Sequence, residues 1–317
     1  MEKIFYDIEL DGIKDRNKNK FFDKEIILPS EYYTLDDKKI SVMSDIHYHK
    51  HVDKDLYKLL IIYARNVKPN YIVMPGDQVE TISFIDDEKE KDFFEWFIKS
   101  LAEICPIIII PGNHEIHNLE VSTYFRKNSK ENSKCMNYFD SLNKFNNVYF
   151  LNNEQINFDG INFLGFNPSI ETYTKKNQKA VDKFMNDYIK AGFSVKEGEY
   201  NVLLTHDSLP LTLNDTYKQI SDFENTDLVI SGHFHDGYLP KFLDKKFGDT
   251  KRGLILYPFT LYRHGILCRG IHDFGRGKLL ISQGFRTWNA DIFLFNLFEK
   301  ICANDVETLT LTRKLKK

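Results

Sequence analysis

Five short apolar runs in this 317-residue chain each stop at a residue able to hold a cation. Ile40–Ser44 leads to Asp45 and His47, Tyr71–Met74 to Pro75-Gly76-Asp77, and Ile107–Ile110 to Pro111-Gly112-Asn113-His114. Val202–Leu204 leads to Thr205-His206, and Leu228–Ile230 to Ser231-Gly232-His233-Phe234-His235. Runs this short and rich in Ile and Val are the pattern of strands buried on both faces. Open α/β sheets bind their ligands at the carboxyl ends of strands. Five runs closing in Asp, Asn or His therefore predict one constellation along one sheet edge.

The segments between these runs have helical spacing. Leu56, Leu59, Leu60 and Ala64 predict a helix over Asp55–Asn66, and Phe93, Phe94, Trp96, Phe97 and Leu101 predict another over Glu88–Ile104. Such βαβαβ alternation implies parallel strands with helical crossovers. Further along, Cys135–Phe145 and Ala180–Ala191 read as helices, and Val148–Leu151 and Ile161–Phe166 as strands. Asn152-Asn153-Glu154 and Asp159-Gly160 supply turn chemistry between those strands. Gly253–Tyr257, Lys278–Ser282 and Val306–Thr312 add strands near the end. Two half-sheets layered face to face and flanked by helices fit this order. Residues 1–39 read as an N-terminal extension, with a basic cluster (Lys14, Arg16, Lys18, Lys20) and then an opening strand at Glu25–Pro29. Residues 40–317 read as a single domain, and Ser122–Ser133 as a polar surface loop or flap.

Composition narrows the classes. A net charge of −3 offers no basic field for nucleic acid or anionic membrane. The four cysteines (Cys105, Cys135, Cys268, Cys302) form no Cys-x-x-Cys pair, so a reducing, cytoplasmic setting is expected rather than a disulfide framework. No signal peptide is expected from the polar first residues, and no apolar stretch reaches the ~18 residues a membrane-spanning helix needs. Oligomeric state has no signature in the sequence.

Asp45 and His47 sit two residues apart, and strand periodicity would put both on one side, within reach of one ion. His233 and His235 repeat that spacing. Asp77 and Asn113 each follow a Pro-Gly turn, and His206 adds a further imidazole. Taken singly, Asp77 could be a helix cap and Asn113 a left-handed turn residue. As an ordered set they supply seven ligands, too many for one ion and suited to two, with the Asp77 carboxylate between them. The donor mix fits Mn, Fe or Zn better than Ca²⁺ or a thiolate-selected metal.

Asp45-x-His47, Gly76-Asp77, Gly112-Asn113-His114-Glu115, His206 and Gly232-His233-x-His235 resemble, in order, the five motifs of the calcineurin-like metallophosphoesterases. The resemblance covers about residues 40–240. It implies a four-layer α/β/β/α sandwich with two mixed sheets and a dinuclear metal site at the carboxyl edge of the strands. It also implies that Asp45, His47 and His235 hold one ion and Asn113, His206 and His233 the other, with Asp77 and a hydroxide bridging them. His114 would contact the phosphoryl oxygen or protonate the leaving group. The expected activity is hydrolysis of phosphodiester or phosphomonoester bonds of small molecules by the bridging hydroxide. Arg269-Gly270, the strand Lys278–Ser282 with Gln283-Gly284, and the final strand are similar to the bacterial phosphodiesterase branch of this superfamily, which has Gly-Gly where this chain has Asp236-Gly237.

Arg263 and Arg269 are candidate phosphate contacts, because a guanidinium binds phosphate bidentately, and Tyr238 is a candidate pocket residue. Glu115 and Asp207 are candidates for fixing imidazole tautomers. Glu80 reads as a helix first-turn acid. Two other functions compete. A nuclease of the same superfamily would call for a basic, aromatic-interleaved stripe, which is missing. A catalytically silent scaffold would have lost ligands or His114, and all these positions are filled.

Overall fold

A computed structural model describes residues 21–30, 35, 37–116, 133–174, 178–212, 223, 225–235, 256–257, 260–261, 269–285 and 304–313. Strand β1 (Phe21–Ser30) is followed by β2 (Lys39–Val42), helix α1 (Lys54–Val67), β3 (Tyr71–Pro75), α2 (Glu88–Ala102), β4 (Ile107–Ile110), the single turn α3 (Asn113–Ile116), α4 (Ser133–Ser141) and β5 (Val148–Phe150). Next come β6 (Glu154–Phe158), β7 (Ile161–Phe166), the turn α5 (Glu171–Thr174), α6 (Gln178–Ala191), β8 (Tyr200–Thr205), the turn α7 (Leu209–Thr212) and β9 (Leu228–Ser231). The short pair β10 (Leu256–Tyr257) and β11 (Thr260–Leu261), then β12 (Gly270–Phe274), β13 (Gly277–Ile281) and β14 (Asn304–Arg313), complete the described strands and α-helices.

Two six-stranded mixed sheets result, in the orders β1-β14-β2-β3-β4-β5 and β12-β13-β9-β8-β7-β6. Strand alternation sorts their side chains into layers. Tyr71 and Val73 of β3, Ile108 and Ile110 of β4, and Val202 and Leu204 of β8 share one cluster between the sheets. Ile72, Met74, Ile107 and Ile109 face a second cluster with Leu60, Phe93, Phe97 and Phe139 from α1, α2 and α4. Leu203 and Val229 face a third with Phe184 and Tyr188 of α6. Helices, sheet, sheet and helix thus stack in four layers, as expected from the motifs.

The helices start where the sequence supplies caps. Asp53 accepts the Asp55 N–H ahead of α1, and Asp87 accepts the N–H groups of Lys89 and Glu90 ahead of α2. Strands β2 to β5 run parallel, as do β7, β8, β9 and β13, so their carboxyl ends share an edge within each sheet. Antiparallel β14 brings Glu307 opposite Val42 at that edge. There the buried Glu307 accepts from Ser282 Oγ at 2.7 Å and from Gln283 N–H at 3.3 Å, which ties the loop after β13 to the first sheet.

Within the two six-stranded sheets, two strands depart from the sequence expectation. β6 lies between the two turn signals, and β12 precedes β13. Both are antiparallel outer strands of the second sheet. With one face only partly covered, their sequences (Glu-Gln-Ile-Asn-Phe, Gly-Ile-His-Asp-Phe) lack the continuous apolar run of a central strand. No helix among the described residues is long and apolar enough to cross a membrane.

Candidate metal centre

The loops leaving β2 and β3 are zipped together by their backbones. Asp45 N–H donates to Gly76 O, His47 N–H to Asp77 O, Tyr48 N–H to Gln78 O and Glu80 N–H to Tyr48 O, at 2.9–3.1 Å. Asp45 and His47 lie beyond the end of β2, with φ of 53° and 49°. They come to one side through two left-handed residues and not, as the spacing suggested, through strand alternation. Asp77 (φ 53°), His233 (φ 73°) and His235 (φ 42°) are left-handed too. Non-glycine residues avoid this region, and its concentration at one edge marks a functional site.

Glycines make room for these turns. Gly76 has φ 93°, and a Cβ there would lie 2.5 Å from His206 Nδ1. A Cβ on Gly112 would overlap the Asp77 carboxylate.

Asp77 is the hub. Its Oδ2 lies 3.0 Å from His206 Nε2, 3.8 Å from His47 Nε2 and 3.9 Å from His114 Nε2, while Oδ1 accepts the His114 N–H at 2.9 Å. His47 Nε2 and His235 Nε2 face each other at 3.1 Å, and His235 Nε2 lies 3.4 Å from Asp45 Oδ1. Asp45 also accepts the His233 N–H, at 3.0 Å to Oδ1. Three groups hold ligand atoms within 4.8 Å of one another: Asp45, His47 and His235; Asp77, His206 and His233; and His47, Asp77 and His114. Asn113 opens α3 beside them, and its buried Oδ1 has no hydrogen-bond partner among the described residues.

The electrostatics fit a cation site. Burial would deprotonate His47, but the Glu80 carboxylate beside it, with Asp77 and Asp45, lifts its pKa to about 9. His206 is likewise opposed by burial and raised to about 10, chiefly by Asp77. Asp77 stays well below the usual carboxylate range despite burial, through His206 first and then His114 and His47. Burial pushes Asp45 up. Protons on His47 and His206 thus balance carboxylates where a bound cation would take their place. The orphaned Asn113 oxygen, the facing imidazole nitrogens and His206 Nε2, close to Asp77 without an aligned hydrogen bond, are donors suited to metal ions.

A second layer orients these donors. His206 Nδ1 is bonded to Pro75 O at 2.8 Å, which turns Nε2 toward Asp77. His47 Nδ1 lies 2.9 Å from Glu80 Oε2, and His114 Nδ1 is bonded to Glu80 O at 2.9 Å. Burial would raise the Glu80 carboxyl, yet His114 and His47 hold it down at about 2. Glu80 is therefore built into the centre and is not a helix first-turn acid. Its position three residues past Asp77, in the same loop, was the available signal. Glu115 accepts three backbone N–H groups, from Gly112, Asp77 and Val79, instead of an imidazole. Asp207 Oδ1 accepts the Leu209 N–H. Tyr173, on α5, packs its ring against His206 and His233, and nothing in its sequence context announced this. Arg269 precedes β12, and the pairings Gly270–Ile281 and Ile281–Ser231 put it on the same edge as His233. Arg263 and Tyr238 lie outside the described residues.

A four-layer sandwich with His/Asp clusters converging at one sheet edge defines an α/β protein built around a metal centre. The sequence profile of the calcineurin-like phosphoesterases matches residues 38–237, and the chain belongs to that family. It is 25% identical over 228 residues to an uncharacterized metallophosphoesterase of Helicobacter pylori, covering 71% of this chain and 50% of that protein. It is 23% identical over 273 residues to an uncharacterized metallophosphoesterase of Campylobacter jejuni, covering 84% and 59%. The chain thus spans about half the length of the curated relatives it matches. Among solved structures, a phosphopantetheinyl hydrolase from Mycobacterium tuberculosis aligns with a TM-score of 0.43 at 10% identity, over 89% of this chain and 99% of that one.

Proposed function

We infer that this chain hydrolyses phosphodiester or phosphomonoester bonds of small molecules at a centre of two metal ions. The observation that carries this reading is the meeting at Asp77 of two three-residue clusters, Asp45-His47-His235 and Asp77-His206-His233. Four imidazoles with carboxylate and amide oxygens suit Mn, Fe or Zn. Asp45, His47 and His235 would hold one ion, Asn113, His206 and His233 the other, and Asp77 would serve both. Two cations bound there would acidify a water for attack on phosphorus and neutralise charge on the phosphoryl oxygens.

The protein's own groups do the rest. Pro75 O and Glu80 fix His206 and His47 so that their Nε2 atoms face inward. His114 Nδ1–H donates to the Glu80 carbonyl, and as an imidazolium the ring would carry a second proton on Nε2 to donate to a phosphoryl oxygen or hand to the leaving oxygen. Arg269, whose neighbour Gly270 pairs with Ile281 at the same edge, would meet the remainder of the phosphate. A net charge of −3 favours small phosphoesters over nucleic acid. Cys105 and Cys135, buried and in no disulfide, support work in a reducing, cytoplasmic compartment.

The test is hydrolysis of bis-p-nitrophenyl phosphate against p-nitrophenyl phosphate after chelation and return of Mn²⁺, Zn²⁺ or Fe²⁺. Turnover restored by metal and lost in Asp77→Ala is expected, and the diester-to-monoester ratio assigns the bond type. Protein that binds no metal at all would overturn the reading.

A further inference from the structure

Three rings close the Asp77-His206-His233 side of the centre. Tyr173 lies 5.7 Å from His233 between ring centroids, at 67°, and 6.2 Å from His206. His206 and His233 are 5.0 Å apart at 70°. Edge-to-face contacts of this kind fix ring planes as well as burying area. The other cluster has ring contacts of its own, His47 stacked on His235 at 5.0 Å and edge-on to His114 at 4.6 Å.

His233 is the candidate ligand with most to gain from a wall. It is only partly buried, whereas the other six are buried. Its backbone is left-handed at φ 73°, a conformation that persists only when the surroundings enforce it.

The wall itself is anchored. Tyr173 N–H donates to Ile170 O, and Thr172 N–H and Oγ1 both donate to Ser169 O. Ser169 N–H and Oγ in turn donate to Asp187 Oδ2 on α6, at 3.0 and 2.6 Å. Asp187 is gripped by Lys183 at 2.6 Å. A buried aromatic ring is thus carried by the outer helical layer to the flank of two imidazoles.

We propose that Tyr173 is a positioning residue for one half of the centre: its ring sets the planes of His206 and His233 and so governs the affinity of the ion they hold. The inference rests on the two-ion reading above. The ring acts, not the hydroxyl, so Tyr173→Phe keeps the function and Tyr173→Ala loses it.

Metal-free protein is titrated with Zn²⁺ against a chromophoric chelator, with elemental analysis of the bound metal. Wild type and Tyr173→Phe should each bind two ions with closely similar affinities. Tyr173→Ala should hold one ion as wild type does and bind the other about ten- to a hundredfold more weakly, the range seen when an outer-shell support is removed. Retained tight binding of one ion also reports that the variant is folded. Should Tyr173→Ala not fold, Tyr173→Leu keeps the bulk without the ring and takes its place. Two ions bound at wild-type affinity in the ring-less variant overturn the proposal. So does equal weakening of both ions, or a Tyr173→Phe variant as weak as Tyr173→Ala. Wild-type protein binding fewer than two ions would fail the two-ion reading itself, before any variant is made.

Discussion

Glu80 Oε2 sits 2.9 Å from His47 Nδ1, while the carbonyl oxygen of the same residue is bonded to His114 Nδ1 at 2.9 Å. One residue thereby fixes the rings of a candidate metal ligand and of the candidate acid. Replacing Glu80 by Gln removes the charge facing His47 and leaves the backbone contact to His114. Zn²⁺ affinity should fall about tenfold to a hundredfold. In contrast, Glu80→Gln binding two ions as tightly as wild type would show that His47 is oriented without the carboxylate.

Glu115 is fully buried and receives N–H groups of Gly112 at 2.7 Å, Asp77 at 2.9 Å and Val79 at 3.0 Å. It joins the exits of β3 and β4 and sets the backbone of Asp77. Glu115→Ala leaves three buried donors unsatisfied, at a cost of about 3 kcal/mol or more. Glu115→Gln rescues only in part, because its amide nitrogen would turn one donor toward another. Denaturant unfolding in excess chelator reads this without any contribution from metal. A loss under about 1 kcal/mol for Glu115→Ala would mean that water replaces the carboxylate and that the stitch is dispensable.

Gly76→Ala tests the geometry from the other side. The added methyl would lie 2.5 Å from His206 Nδ1 and 2.8 Å from Gly112 Cα, at a backbone with φ 93°. His206 cannot stay bonded to Pro75 O and also clear that methyl. Binding of at least one ion should be lost, together with about 2 kcal/mol or more of stability. Gly160→Ala is the control: φ 87° makes it strained too, but the new methyl would have no neighbour within 4 Å, so the metal titration should match wild type.

The sequence was most legible where one requirement dominated. The runs Tyr71–Met74 and Ile107–Ile110 are buried on both faces, so each position has to be apolar and the strands announce themselves. Asp45, His47, Asp77, Asn113, His206, His233 and His235 were legible as candidates because each follows such a run. β6 and β12 were not, since an outer strand with a partly covered face need not be apolar throughout. The left-handed backbone of Asp45 and His47 was hidden as well, because Asp-x-His reads the same whether the chain continues as a strand or turns twice. Glu80 and Tyr173 act on imidazoles contributed by other segments of the chain, and local pattern cannot report a contact that only the tertiary fold creates.

Asp187 offers a pH-dependent check on the α6 anchor. Burial pushes its carboxyl up, but bonds from Lys183 and from Ser169 Oγ and N–H outweigh that and hold the pKa below its ordinary value. A carboxyl lowered on folding contributes stability above its unfolded pKa of about 3.9, and that contribution fades as pH falls through the folded value. Asp187→Asn should therefore be less stable than wild type by about 1 kcal/mol at pH 7, a figure kept small because Lys183 is partly exposed and screened. The gap between the two proteins should persist to about pH 4 and close below it, as wild-type Asp187 takes up its proton. Urea unfolding of both proteins from pH 7 to pH 3 measures the gap. A gap that stays constant to pH 3 would assign the effect to packing instead of charge. One that widens on acidification would mean that the folded protein raises the Asp187 pKa, opposite in sign to the ring of donors around it.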